Sequence, residues 1–213
     1  MRDYNHKELY PNTKQLSSSQ VLDFIRNPSD FHVTWVMGVR EEPSQPMING
    51  SVFSELFAGA TGEERKELLS LLRPRRLIDT YLAALKVLPN IPPQFCEVSI
   101  RAKVGSWKVR VTPDALLAEQ YEIIENKTGQ KPWDQERCNF DQQITMQAWA
   151  FWKKYGVPPK RIRLNWVNTS LHSTKVVESF VTRRTMTSIK RMDALVQTVI
   201  EHIEAGDFTS SLY

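Results

Sequence analysis

Cysteine is scarce in this chain of 213 residues. Cys96 and Cys138 are the only two, too few for a disulfide framework and without the spacing of a zinc site. A disulfide-stapled domain and a zinc-bound fold are set aside, and a reducing, cytosol-like compartment fits. Long apolar runs are missing too. None approaches the roughly 18 residues that a bilayer span requires, and the opening MRDYNHKELYPNTK holds no apolar signal segment. The chain is therefore expected to be soluble and cytoplasmic, with no membrane partner. Internal repeats, low-complexity tracts and an obvious interdomain linker are also absent. A single domain over 1–213 is the default at this length.

What is present is an ordinary globular composition. Hydrophobic residues at 41% and charged residues at 24% can build a sizeable core. A mild positive excess of +4 permits a phosphate-rich partner without demanding one. Two local groups are more pointed: Arg73-Pro-Arg75-Arg76, and the string Lys153, Lys154, Lys160, Arg161, Arg163. Each reads either as a solvated face or as a set of phosphate contacts.

Residues 1–15 are polar and expected to be poorly ordered. From 16 to 93 the chain reads as helical. Ser17-Ser18-Ser19 can cap a helix carrying Val21, Leu22, Phe24 and Ile25, stopped at Asn27-Pro28. Ser29 to Val39 is ambiguous, Glu41 to Pro46 reads as a loop, and Gly50 to Gly59 as a helix. Thr61-Gly-Glu-Glu64 has the form of a capping box. Leu77 to Val87 reads as one more helix. From 94 to 206 the period changes. Phe95–Arg101, Trp107–Val111 and Tyr121–Glu125 alternate as strands, with Gly105-Ser106 as a hairpin turn. A helical stripe from Phe140 to Tyr155, a strand from Arg161 to Val167 and a long amphipathic helix through Ile203 complete the chain. The order predicts an α/β fold with a mixed central sheet flanked by helices, its core β-β-β-α-β.

Within that core, Asp114 opens the apolar run Ala115-Leu116-Leu117, while Glu125 and Lys127 close Ile123-Ile124. Residues two apart in a strand share a face. If the preceding strand pairs alongside, Asp114 joins them there. Two adjacent carboxylates repel, and burial makes ionising both costly; a divalent cation relieves this, and oxygen ligands suit Mg²⁺ or Mn²⁺. The plain alternative is a surface ion pair between Lys127 and one carboxylate.

The pattern Pro113-Asp114-(x10)-Glu125-x-Lys127, following a hairpin and preceding a helix that begins with glutamines, resembles the PD-(D/E)XK nuclease motif. More narrowly it resembles the RecB-like branch, which includes phage exonucleases and CRISPR-adaptation nucleases. LSSSQVLDFIRNPSDF resembles that branch's first helix, NGSVFSELF its Gly-x-x-x-His helix, and QITMQAWAFWKKYG its Gln-x-x-x-Tyr helix. The resemblance implies a restriction-endonuclease-like core and a metal-dependent DNA nuclease, an exonuclease of phage or bacterial recombination and DNA processing. Asp114, Glu125 and the carbonyl of Asn126 would hold the metal. Lys127 would position or activate the attacking water, and Gln143 would hold Lys127 or DNA. Glu97 could support the site from the preceding strand. DNA contacts would come from Arg73, Arg75, Arg76, Lys153, Lys154 and Trp133, the last expected in a polar loop from Thr128 to Asn139. The host would be a bacterial cell or phage-infected cell, with room for a recombination partner protein or a homo-oligomer.

Three departures from the family pattern stand out. The family histidine falls at Ser54, which implies a weaker metal site; Glu55 points away on the same helix, and His6, His32, His172 and His202 lie outside the motif. Gln147 stands where the family often has tyrosine. No iron–sulfur cluster is expected, because Asn27 replaces the first cysteine and the tail after Gly206 has none. The rival reading is a catalytically silent fold kept as a DNA-binding or protein-interaction module.

Overall fold

The computed structural model describes residues 14–170 and 175–209. His6, His172, the segment 1–13 and the last four positions of the tail lie outside the described residues.

The N-terminal helix α1 (Ser18–Arg26) is fixed by its first turn. Ser17 accepts from the Gln20 amide while the Gln20 side chain accepts from the Ser17 N–H, a complete capping box. Asn27 ends α1 and its side chain caps the short α2 (Pro28–Phe31), which runs into a π-helical turn, His32–Val36. The segment with ambiguous pattern is therefore helical as far as Val36. α3 spans Gln45–Phe57, starting inside the expected loop with Pro46 in its first turn. α4 spans Gly62–Leu71 and α5 Leu77–Val87. Thr61 precedes α4 as expected, but its hydroxyl makes no capping bond.

Seven strands form two mixed sheets among the described residues, where the sequence predicts one central sheet. The first has the order β1 (Gln15–Ser17), β3 (Trp107–Val111), β2 (Ile100–Val104), with β1 parallel to β3. Lys14 and Gln15, assigned above to a poorly ordered start, therefore have partners: the Lys14 carbonyl accepts from Lys108 N–H and Gln15 pairs with Lys108. The second sheet has the order β4 (Ala115–Leu117), β5 (Glu122–Gly129), β6 (Arg161–Asn168), β7 (Val177–Thr182). Here β5 and β6 are parallel and the outer pairs antiparallel. Phe95 to Ser99 is not a strand; Pro93–Phe95 is a 3₁₀ turn and Glu97 adopts a positive φ of 52°. Its N–H bonds the carbonyl of Asp114 at 3.0 Å.

Helices cover both faces of the second sheet, as a sheet with buried parallel strands requires. On one face Val52, Phe53, Leu56, Leu72, Leu77 and Tyr81 pack with Ala115, Ile124 and Val167. On the other, α7 (Gln142–Tyr155) and α8 (Met186–Ala205) pack with Ile123, Ile162 and Leu164. The short α6 (Gln135–Phe140) precedes α7, inside the stretch read above as a loop. Among the described residues no helix is long and apolar enough to cross a membrane.

Candidate active site

The antiparallel rungs Ala115–Ile124 and Leu116–Ile123 set the register between β4 and β5. One step beyond them, Asp114 comes opposite Glu125. The Asp114 carboxylate accepts from the Asn126 N–H at 2.6 Å through Oδ2 and from the Ser54 hydroxyl at 3.2 Å through Oδ1. Ser54 thus reaches the site from α3. Glu55 is exposed.

Glu125 is deeply buried, 4% exposed, and both its oxygens are engaged. Oε1 accepts from Lys127 Nζ at 2.7 Å and from Gln143 Nε2 at 2.6 Å. Oε2 accepts from Gln147 Nε2 at 2.6 Å. Lys127 Nζ also donates to Gln143 Oε1 at 2.6 Å, closing a triangle of side chains. The same-face expectation for Glu125 and Lys127 holds. Asn126 points the other way, its Oδ1 accepting from Asn165.

Two opposed electrostatic outcomes share this site. Burial and the charge of Glu125 push the Asp114 carboxyl up from 3.8 to about 8, against the pull of Asn126, Lys127 and Ser54. Burial would lower Lys127, but the charge and hydrogen bond of Glu125, with the fields of Asp114 and Asp141, outweigh it and hold the ammonium above its ordinary range. With both carboxylates ionised, one ammonium leaves a negative charge uncompensated. Asp114 and Lys127 are only partly buried, so the site opens to solvent on one side.

Gln147 is the residue that sequence reasoning undervalued. It is 1% exposed and fixes the deep oxygen of Glu125. A signal was available: Gln143 and Gln147 stand four apart in a helix and so share a face.

The expected DNA contacts divide. Arg73 and Arg76 line a cleft of about 450 Å³ together with Asn49, Tyr81, Thr128 and Gly129, the last two continuing β5 from Lys127. Arg75 is exposed nearby in the chain. Arg73 is tied back to the carbonyls of Ser70 and Leu72, and Arg76 donates to that of Thr169. The other basic string lies elsewhere. Arg161 pairs in register with Glu122, at the opposite end of β5 from Lys127, about 16 Å away at strand rise. Arg161 and Arg163 are both bound to the buried Glu122. Lys153 and Lys154 lie ten or more residues along α7 from Gln143, about 15 Å at helical rise, and Lys153 is paired with Asp193. Trp133 also departs from expectation: it is 8% exposed within the main core, with the Arg137 guanidinium 4.0 Å above its ring. Packing and that cation remove its face from solvent. Glu97 is exposed, and its backbone, not its carboxylate, meets Asp114.

No family model and no curated protein matches the chain. Among solved structures it is similar to a Eubacterium rectale protein classed as an exonuclease, at 11% identity and a TM-score of 0.65, covering 97% of this chain and 87% of that one. It is also similar to LHK-Exo, an alkaline exonuclease of Laribacter hongkongensis solved with dAMP, at 15% identity and a TM-score of 0.52, covering 92% and 90%. At such identities the likeness establishes the fold.

Proposed function

We propose that this chain is a divalent-metal-dependent deoxyribonuclease of the PD-(D/E)XK superfamily, RecB-like branch, working as an exonuclease in phage or bacterial recombination or DNA processing. It acts as one nuclease domain. The observation that carries the reading is Lys127 Nζ, held between Glu125 and Gln143 at 2.7 and 2.6 Å beside Asp114. The fold shared with two solved exonucleases supports it.

The donor set fits a hard divalent cation. Asp114, Glu125 and the Asn126 carbonyl offer oxygen only, as Mg²⁺ and Mn²⁺ prefer, and the surplus negative charge awaits a cation. Once bound, the ion would supply Lewis acidity toward a phosphoryl oxygen and acidify water. The chain's own groups do the rest. An ammonium has three donors; Lys127 spends two on Glu125 and Gln143, which leaves one to aim at water or at charge developing on phosphate. Gln143 fixes the direction of that ammonium. Gln147 keeps Glu125 from turning. Ser54 steadies Asp114 by a hydrogen bond but brings no nitrogen ligand.

End-labelled linear DNA and covalently closed circular DNA, each incubated with Mg²⁺, Mn²⁺ or EDTA, test the reading. Metal-dependent loss of linear DNA with the circle intact is expected. Absence of product from every linear, nicked, flapped and single-stranded substrate, in a preparation that is folded and binds DNA, would overturn it in favour of a silent module.

A further inference from the structure

Phe140 is 77% exposed, although the corner that carries it is held by several side-chain hydrogen bonds. Arg184, itself buried, binds that corner from inside. Its Nη2 donates to the carbonyls of Cys138 at 2.9 Å and Asp141 at 3.1 Å, the residues on either side of Asn139-Phe140. Its Nε donates to Thr145 Oγ1 at 2.7 Å, and its Nη1 to Thr182 Oγ1 at 2.9 Å. The Asn139 side chain accepts from Thr182 at 2.8 Å. Asp141 then caps α7 by accepting from the Ile144 N–H at 2.9 Å. The backbone is thus fixed on both sides of an aromatic ring that packs against little.

An aromatic ring left in water adds no burial energy to the fold, since burial is what such rings contribute. Its location supplies a reason. Phe140 stands three residues before Gln143, so no more than about 11 Å of backbone separates it from the residue holding Lys127 and Glu125. Exposed cations flank it in the chain and fold: Arg137 one helical turn earlier, and Arg183 beside Arg184. A ring with neighbouring cations is what a nucleic-acid strand meets when its bases stack and its phosphates pair.

We propose that Phe140 is a stacking platform for an unpaired base of the strand that enters the site. This rests on the nuclease reading and narrows its substrate to DNA whose bases are unpaired at that point. The energy would come from the π face of the base, so the contact would tolerate any sequence.

Fluorescence anisotropy with a labelled single-stranded oligonucleotide in EDTA, where no product forms, gives the test. Phe140→Ala should raise Kd roughly 5- to 150-fold, the range of one lost base–aromatic stack, while Phe140→Trp keeps wild-type affinity. In a series of oligonucleotides each lacking one base, a single position should weaken wild type by a similar factor and leave Phe140→Ala unchanged. Melting midpoints should agree among the variants, because the ring is exposed. Wild-type affinity in Phe140→Ala, or an abasic series that affects both proteins alike, overturns the proposal. A protein that cuts DNA and ignores Phe140→Ala loses the platform and keeps the nuclease. One that passes the stacking test but cuts nothing with Mg²⁺ or Mn²⁺ keeps the platform and loses the nuclease. Failure of wild type to bind any oligonucleotide overturns both.

Discussion

At Glu125 three side-chain hydrogen bonds converge on one buried carboxylate, from Lys127, Gln143 and Gln147. Such a group is oriented before any substrate arrives, so each donor removed should be felt in the rate. Asp114→Ala, Glu125→Ala and Lys127→Ala should each abolish metal-dependent cleavage while circular dichroism shows the fold intact; a Glu125→Ala protein that cuts normally would refute the assignment. Gln147→Leu is a finer probe. It fills the same buried space but strips a donor from a buried acceptor, a loss of about 1–3 kcal/mol. The expected result is a lower kcat with little change in DNA affinity, read from single-turnover rates beside anisotropy titrations. An equal loss of stability without a loss of rate would make Gln147 a packing residue only.

At the scale of elements, the site depends on how α7 is started. Asp141 caps it, and Gln143 and Gln147 lie in its first two turns. Asp141→Ala should cost about 1 kcal/mol, as N-cap losses do, lowering Tm by about 2–4 °C in a chain of this size. It should lower kcat more than so small a destabilisation explains, because both glutamines lose their anchor. Calorimetry and initial rates on one preparation separate the two effects. α1, α5, β3, β6 and the long final helix were legible because each carries an uninterrupted apolar period, whereas β2 lies at Ile100–Val104, later than the expected Phe95–Arg101. β1 and β4 have three residues each, too short for an alternation to declare itself. β5 runs on to Gly129 through Asn126, Lys127 and Thr128, polar residues that read as the end of a strand. They are buried or half-buried because they form the site and its floor, so function itself disguised the strand. α6 was hidden for a similar reason: QERCNF has one buried residue, Cys138, and its cap Asp134 looks like any loop acid. Trp133 misled because a polar neighbourhood in sequence says little about what folds over a ring. Glu125 and Lys127 were legible since a period of two leaves little choice. Gln147 was undervalued because its partner comes from another element, although its spacing from Gln143 put both on one face.

For the whole molecule, the raised Asp114 carboxyl links stability to pH. The folded chain holds this proton more tightly than the unfolded one. In the metal-free protein the contribution is therefore full below about pH 4 and is lost as pH rises through about 8. Lys127 is shifted upward from 10.5 and titrates above that window. Urea unfolding between pH 5 and 9 should show stability falling as pH rises, and Asp114→Asn should flatten the slope. Added Mn²⁺ should flatten it too, since a bound cation takes over what the proton did. A slope unchanged by Asp114→Asn would assign the effect to other groups.

The three residues of β1 have a consequence of another kind. They occupy the edge of β3, rung by rung from Gln15–Lys108 to Ser17–Arg110, and Leu16 is 2% exposed beneath them. Without that cover, β3 would present a row of unpaired amides and carbonyls, the template on which one chain recruits another. Lys108 and Arg110 would offer some charge repulsion, but the exposed backbone of Trp107–Val111 would remain open to pairing. Leu16→Asp should unseat β1, and light scattering should then report growing aggregates at concentrations where the wild type does not self-associate. A Leu16→Asp protein that scatters like wild type would show that β3 does not depend on β1 for solubility.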